Sequence, residues 1–101
     1  MKICFLDKTN FTYSIEDVYN PKLRGAETIL INLAKQFSNF GNEVFVYNNC
    51  SKTFKKNNLY WNSIEALNPK NGPLFDIVFC NNDCRLLNKV NAKKKYVFSH
   101  S

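Results

Sequence analysis

Residues 25–48 constrain the fold more than any other part of the chain. Ala26, Ile29, Leu30, Leu33, Ala34 and Phe37 recur at helical spacing, which gives a helix one broad apolar stripe. The segment Arg24-Gly25-Ala26-Glu27 opens that stretch. Glu27 falls in the first turn, where the helix dipole favours negative charge, and Gly41 follows the last turn as a C-cap. The spacing therefore predicts a helix from Gly25 or Ala26 to Asn39. Glu43 to Asn48 then reads as a strand, because Val44, Phe45, Val46 and Tyr47 are β-branched or aromatic. Before the helix, the unbroken apolar run Ile3 to Leu6, closed by Asp7, has the form of a central parallel strand covered on both faces. A strand, a helix and a second strand in that order call for a crossover connection in one sheet.

The remaining segments extend the same alternation. Phe75 to Cys80 reads as a buried strand, Leu59-Tyr60-Trp61 as a short one and Lys95 to Phe98 as the last. Cys84 to Val90 reads as a short helix with Leu86, Leu87 and Val90 inward. Residues 49–58 are polar and basic, hence loop, and Asn68 to Pro73, with two prolines and a glycine, opposes any regular element. Ser63 to Leu67 fits neither period. Asn10 to Arg24 forms a long loop, a kind of segment that is uncommon in compact domains and often functional. The expected fold is α/β, with an open, mainly parallel Rossmann-like sheet of four to five strands and flanking helices. With 101 residues and a 45% hydrophobic composition that includes nine Phe, residues 1–101 form one packed domain, and disorder is excluded.

The net charge of +6 is concentrated in Lys52, Lys55 and Lys56 and in Lys89, Lys93, Lys94 and Lys95. Such runs are usually solvated loop surface. The aromatics do not interleave with the lysines and no nucleic-acid signature is present, so nucleic acid is not expected as a partner. The N-terminal apolar run is too short for a signal peptide, and no segment approaches the length of a membrane span. A cytoplasmic location with reduced thiols is expected. Cys4 and Cys80 fall in apolar strands, as small hydrophobes would. Cys80 and Cys84 are spaced too widely for a common zinc knuckle, and the lone His100 is a poor source of further ligands, so no metal and no resident cofactor are expected.

In an open α/β sheet the ligand crevice lies beyond the carboxyl ends of the strands, near the reversal of strand order. Asp7 to Asn10, Asn81 to Asp83 and Ser99 to Ser101 are expected there, beside Gly25 at the helix start. Gly25 suits the close approach of a phosphate to a helix N-terminus, and equally a plain turn. Neither G-x-G-x-x-G nor G-x-x-x-x-G-K-[ST] occurs. His100 reads either as a surface residue or as a ligand-facing one at a strand end, and the Ser99-His100-Ser101 string does not make a nucleophilic triad. Asp83 suits a ligand hydroxyl or the N-cap of the following helix.

Pro21-Lys22-Leu23-Arg24-Gly25-Ala26-Glu27, Phe40-Gly41-Asn42-Glu43-Val44, Asp76-Ile77-Val78-Phe79-Cys80-Asn81 and Phe98-Ser99-His100-Ser101, taken in order, resemble the start of a GT-B glycosyltransferase of family 4. That resemblance implies a retaining transferase that takes a nucleotide-sugar donor. It implies Gly25 and Arg24 against the donor diphosphate, Asn81 at the same crevice and His100 as the catalytic residue near the donor sugar. It also implies no metal, and for many members a basic surface that docks on a membrane. Arg24 stands where the family usually carries a first glycine, and Asn81 where many members carry histidine. The family's main nucleotide pocket lies in a C-terminal domain, so residues 1–101 correspond to a partial N-terminal domain. The chain alone is expected to be inactive and to be completed by that domain or by a second subunit. The reading from another class is a small non-catalytic α/β binding or scaffold module; a remnant of a larger domain differs from it in leaving apolar surface uncovered and self-associating.

Overall fold

The computed structural model describes residues 1–17, 25–67 and 72–97. Six strands form one sheet: β1 (Lys2–Asp7), β2 (Glu43–Asn48), β3 (Phe54–Lys56), β4 (Leu59–Ser63), β5 (Leu74–Asn81) and β6 (Asn91–Val97). They lie in the order β3-β4-β2-β1-β5-β6. β1 pairs in parallel with β2 and β5, β2 with β4, and β5 with β6, whereas β3 runs antiparallel to β4. The one α-helix among the described residues, α1 (Gly25–Asn39), carries the chain from β1 to β2. From β1 the chain goes to β2 beside it, out to the edge strand β3, back through a hairpin to β4 between those two, and then across to add β5 and β6 on the other side of β1. Strand order turns between β1 and β5.

The α/β class holds, while the finer expectation of an open, mainly parallel Rossmann-like sheet of four to five strands with flanking helices needs correction. The sheet is mixed and has six strands, because the basic segment expected as loop contributes β3. Lys55 and Lys56 are tolerated there since an edge strand leaves them in solvent, and Asn57 turns the hairpin with a left-handed φ of 53°. The helix expected at Cys84 to Val90 is a 3₁₀ turn, Cys84–Lys89, and two further 3₁₀ turns stand at Ile15–Asp17, in the segment expected as loop, and at Ile64–Ala66, in the segment that fitted neither period. β6 begins at Asn91, four residues before the expected Lys95, because pairing with β5 overrides the weak strand preference of Lys93 and Lys94. Phe98, the expected end of that strand, lies outside the described residues, as do parts of the 10–24 loop and of the Asn68 to Pro73 break.

The sheet separates two cores. On the α1 side, Leu30, Ile31 and Ala34 pack on Ile3, Phe5, Val44, Val46, Leu59 and Trp61. On the other side, Cys4, Leu6, Val78 and Cys80 pack with Phe75, Leu86 and Val90. The two sets alternate along β1, as residues of a strand buried on both faces must. The helix ends as its sequence indicates: Gly41 sits at φ +91° and Asn42 N–H bonds back to the Phe37 carbonyl at 3.2 Å. Its buried face is rotated from the expected stripe, however. Ile29 is 56% exposed, whereas Ile31 and Glu27 are buried. Three consecutive apolar residues, Ile29 to Ile31, let two adjacent stripes satisfy the period, and packing chooses the one that includes Ile31.

Cys4, Cys50 and Cys80 carry free thiols, and burial raises the Cys4 pKa well above its ordinary value. No helix among the described residues is long and apolar enough to cross a membrane.

Candidate functional site

Each central strand ends on a polar residue that the sheet nevertheless buries. Asp7 closes β1, Asn48 closes β2 and Asn81 closes β5, all with no solvent exposure. Parallel register sets Asp7 directly between Asn48 and Asn81. The three polar groups therefore line up at the carboxyl edge, across the point where strand order turns, which is where open α/β sheets bind ligands.

The segment after β1 folds over this edge and is tied to it. Tyr13 is buried, and its Oη donates to Asp7 Oδ2 at 2.5 Å. Its carbonyl accepts from Asn48 Nδ2 at 2.8 Å, and its N–H donates to the Asn49 carbonyl at 3.1 Å. Asn48 in turn accepts at Oδ1 from Trp61 Nε1 at 2.8 Å. Tyr13 and Trp61 meet edge to face with centroids 6.2 Å apart. From the other side Asn82, held at a left-handed φ of 67°, donates Nδ2 to Asp7 Oδ1 at 2.5 Å. Asn is among the few side chains that tolerate that backbone.

Electrostatics sharpen the picture. Burial raises the Asp7 pKa, the hydrogen bonds from Tyr13 and Asn82 pull it partly back, and the negative charge of Glu27 pushes it up again. Burial, and then the Asp7 carboxylate, raise the Tyr13 pKa, so the phenol stays a donor at neutral pH. The coupling to Glu27 brings the first turn of α1 to the same edge. Asn81 is the anomaly. Its amide approaches Asp7 closely enough to favour the carboxylate slightly, but the approach falls short of hydrogen-bond geometry, and neither Nδ2 nor Oδ1 makes a well-formed bond. A buried amide without partners costs about 1–3 kcal/mol, a penalty that binding sites commonly carry.

Asp7 yields a direct expectation. A carboxyl whose folded pKa lies above the ordinary value of about 3.9 adds stability only while protonated. That contribution is complete below the ordinary value and disappears as pH rises through the folded one. Asp7→Asn removes this loss: the new amide oxygen keeps one of the two donors, and the new Nδ2 donates to an oxygen of the other partner, Tyr13 Oη or a rotated Asn82 amide. Urea unfolding of both proteins from pH 3.5 to 7 should show near-equal stability at the acid end and a growing advantage for Asp7→Asn toward neutrality. A constant difference across that range would contradict the assignment.

Of the residues singled out from sequence, Asp7, Asn81 and Asn82 stand at this edge, and Gly25 opens the helix whose first turn carries Glu27 close enough to act on Asp7. Gly25 is the first residue of α1, and a Cβ there would meet nothing within 4 Å, so close packing does not explain it. Arg24 and His100 lie outside the described residues. Asp83 is the N-cap of the turn Cys84–Lys89, where its side chain accepts from Arg85 N–H. Tyr13, Asn48 and Trp61 lie outside the stretches expected at this edge, whereas Asn82 lies within one of them. The available signal was the repeated close of an apolar run on Asp or Asn, at Leu6-Asp7, Tyr47-Asn48 and Cys80-Asn81. Among the described residues no three His, Cys, Asp or Glu side chains group as metal ligands.

Fold and edge together define an α/β chain with a buried polar rim at the carboxyl ends of its strands. Comparison with protein-family models, with curated proteins and with solved structures returns no match.

Proposed function

We propose that this chain is the N-terminal part of a retaining, nucleotide-sugar-dependent glycosyltransferase of the GT-B type. The observation that carries the proposal is the row Asn48, Asp7 and Asn81, buried at the carboxyl ends of three adjacent parallel strands beside the first turn of α1. Asp7 is held by Tyr13 and Asn82 as a fixed acceptor, and Asn81 offers a donor and an acceptor that nothing in the described protein uses. Such a rim suits the hydroxyls of a sugar, which need paired donors and acceptors rather than charge alone. In this reading the Gly25 amide and Arg24 meet the donor diphosphate at the helix N-terminus. His100 approaches the donor sugar. The reaction breaks the bond from the anomeric carbon to the diphosphate oxygen and joins that carbon to an acceptor oxygen. The acceptor proton leaves and the nucleoside diphosphate carries away the negative charge.

In this reading these residues are one wall of a cleft that a second domain closes, and enclosure with opposing electrostatic groups is what makes such a transfer fast. The 101-residue chain alone should therefore bind without turning over. Calorimetric titration with a panel of nucleotide sugars should give weak, saturable binding for at least one, abolished by Asp7→Ala. Absence of binding across the panel, with the chain folded, would overturn the proposal. The second reading, a non-catalytic α/β interaction module, draws on the apolar groups left exposed at Leu74, Tyr96 and Val97 of β5 and β6. The same surface suits a C-terminal domain, a second subunit or a further copy of the chain.

A further inference from the structure

We propose a second ligand site, on the face of the sheet opposite α1, that binds a phosphate monoester of a small, soluble polar molecule. A cleft of about 330 Å³ opens there, lined by Lys8, Ile64, Asp83, Arg85, Leu86 and Lys89. Its floor is apolar and fixed: Leu86 is buried in the core on that side and Ile64 packs against it. Its walls carry three cationic side chains against one carboxylate.

Those cations come from separate places in the chain. Lys8 directly follows β1, while Arg85 and Lys89 stand in the first and last parts of the 3₁₀ turn after β5. Asp83 organises them. Its two oxygens accept from Arg85 Nε and Nη2, both at 2.9 Å, which holds the guanidinium fork in one orientation with donors still unspent. The Lys8 charge also acts on Asp83, so the β1 extension reaches the same cleft. Held by Arg85, the Asp83 carboxyl is lowered to about 2 and remains ionised at any working pH. It acts as a brace for Arg85 and leaves the cleft with a surplus of positive charge.

A phosphate monoester matches this arrangement. It carries close to two negative charges at neutral pH and three acceptor oxygens, enough to engage an oriented guanidinium and two flanking ammonium groups at once. The cleft volume is at the small end of the range for ligand pockets, which fits a sugar phosphate or similar molecule. A single carboxylate would leave part of the charge unanswered. Lys8 and Asp83 directly follow Asp7 and Asn82, so the cleft adjoins the rim of Asp7, Asn48 and Asn81, but its cationic lining and its floor lie on the side away from α1 and do not depend on the transferase reading.

Amide chemical-shift titration of the chain with inorganic phosphate, then with a pentose 5-phosphate, at constant ionic strength tests this. Saturable shifts are expected at Lys8 and across Asp83 to Lys89. Arg85→Gln and Lys89→Gln, both exposed and safe for folding, should each weaken binding about tenfold, the worth of one charge-assisted contact. Lys55→Gln, on the distant strand β3, should leave it unchanged. Lowering the pH from 7.5 to 5.5 should weaken binding several-fold as the ligand loses its second charge at about pH 6; of the groups facing it, Asp83 does not titrate in that range. Shifts spread over all the lysines and scaling with salt, or binding seen only with phosphatidic acid vesicles, would overturn the proposal.

Discussion

Trp61→Ala should lower stability by about 3–5 kcal/mol, the usual cost of emptying a buried aromatic site. The indole has no solvent exposure, it lies in the core under α1, and its N–H occupies Asn48 Oδ1 at 2.8 Å. Truncation thus leaves a cavity and also strips a buried amide of its partner, which adds to the loss. Because Asn48 holds the Tyr13 carbonyl and Tyr13 holds Asp7, the damage should travel to the rim. A domain of this size has a total stability of about 5–15 kcal/mol, so the loss is a large fraction of the whole and should shift the unfolding midpoint strongly. Trp61→Phe, which keeps most of the packing and loses the donor, should fall between the two. Denaturant midpoints measure the series, and a loss below about 1 kcal/mol for Trp61→Ala would show that the indole does not anchor the rim.

Asn81→Val should move stability in the opposite direction, raising it by about 1–2 kcal/mol. The side chain is fully buried at the end of β5, and both its polar atoms lack partners. Replacing an unsatisfied buried amide with an apolar group of similar size removes a desolvation penalty, and valine suits a strand. A chain that keeps such a residue retains it at a cost in stability. The same substitution should abolish nucleotide-sugar binding. If Asn81→Val destabilises the fold by 1 kcal/mol or more, the amide is serving the fold rather than a ligand.

The contrast between these two substitutions reflects what the sequence could reveal. Helical spacing located α1, and runs of apolar residues located β1, β2 and β5, because a local period is written in neighbouring residues. The turn at Cys84–Lys89 was legible as a short helix but not as 3₁₀, and the turns Ile15–Asp17 and Ile64–Ala66 and strand β3 were not legible, since short segments take their conformation from what they pack on. The choice between Ile29 and Ile31 as the buried residue depended on the sheet below. The rim was legible only as a list of strand ends. Its working geometry joins Asp7 to Asn82 across 75 positions and Asn48 to Tyr13 across 35, and no spacing rule connects residues so far apart. Tyr13, in a loop without period, carried no signal of its own.

The central claim is that the carboxyl edge at the turn of strand order is the ligand site, and amide chemical-shift mapping of a nucleotide-sugar titration tests it most directly. Saturable perturbations should gather at Asp7, Tyr13, Gly25 to Glu27, Asn48, Asn81 and Asn82, and should vanish in Asn81→Val while its fold persists. Perturbations that instead follow the lysine-rich surface, or that survive intact in Asn81→Val, would contradict it.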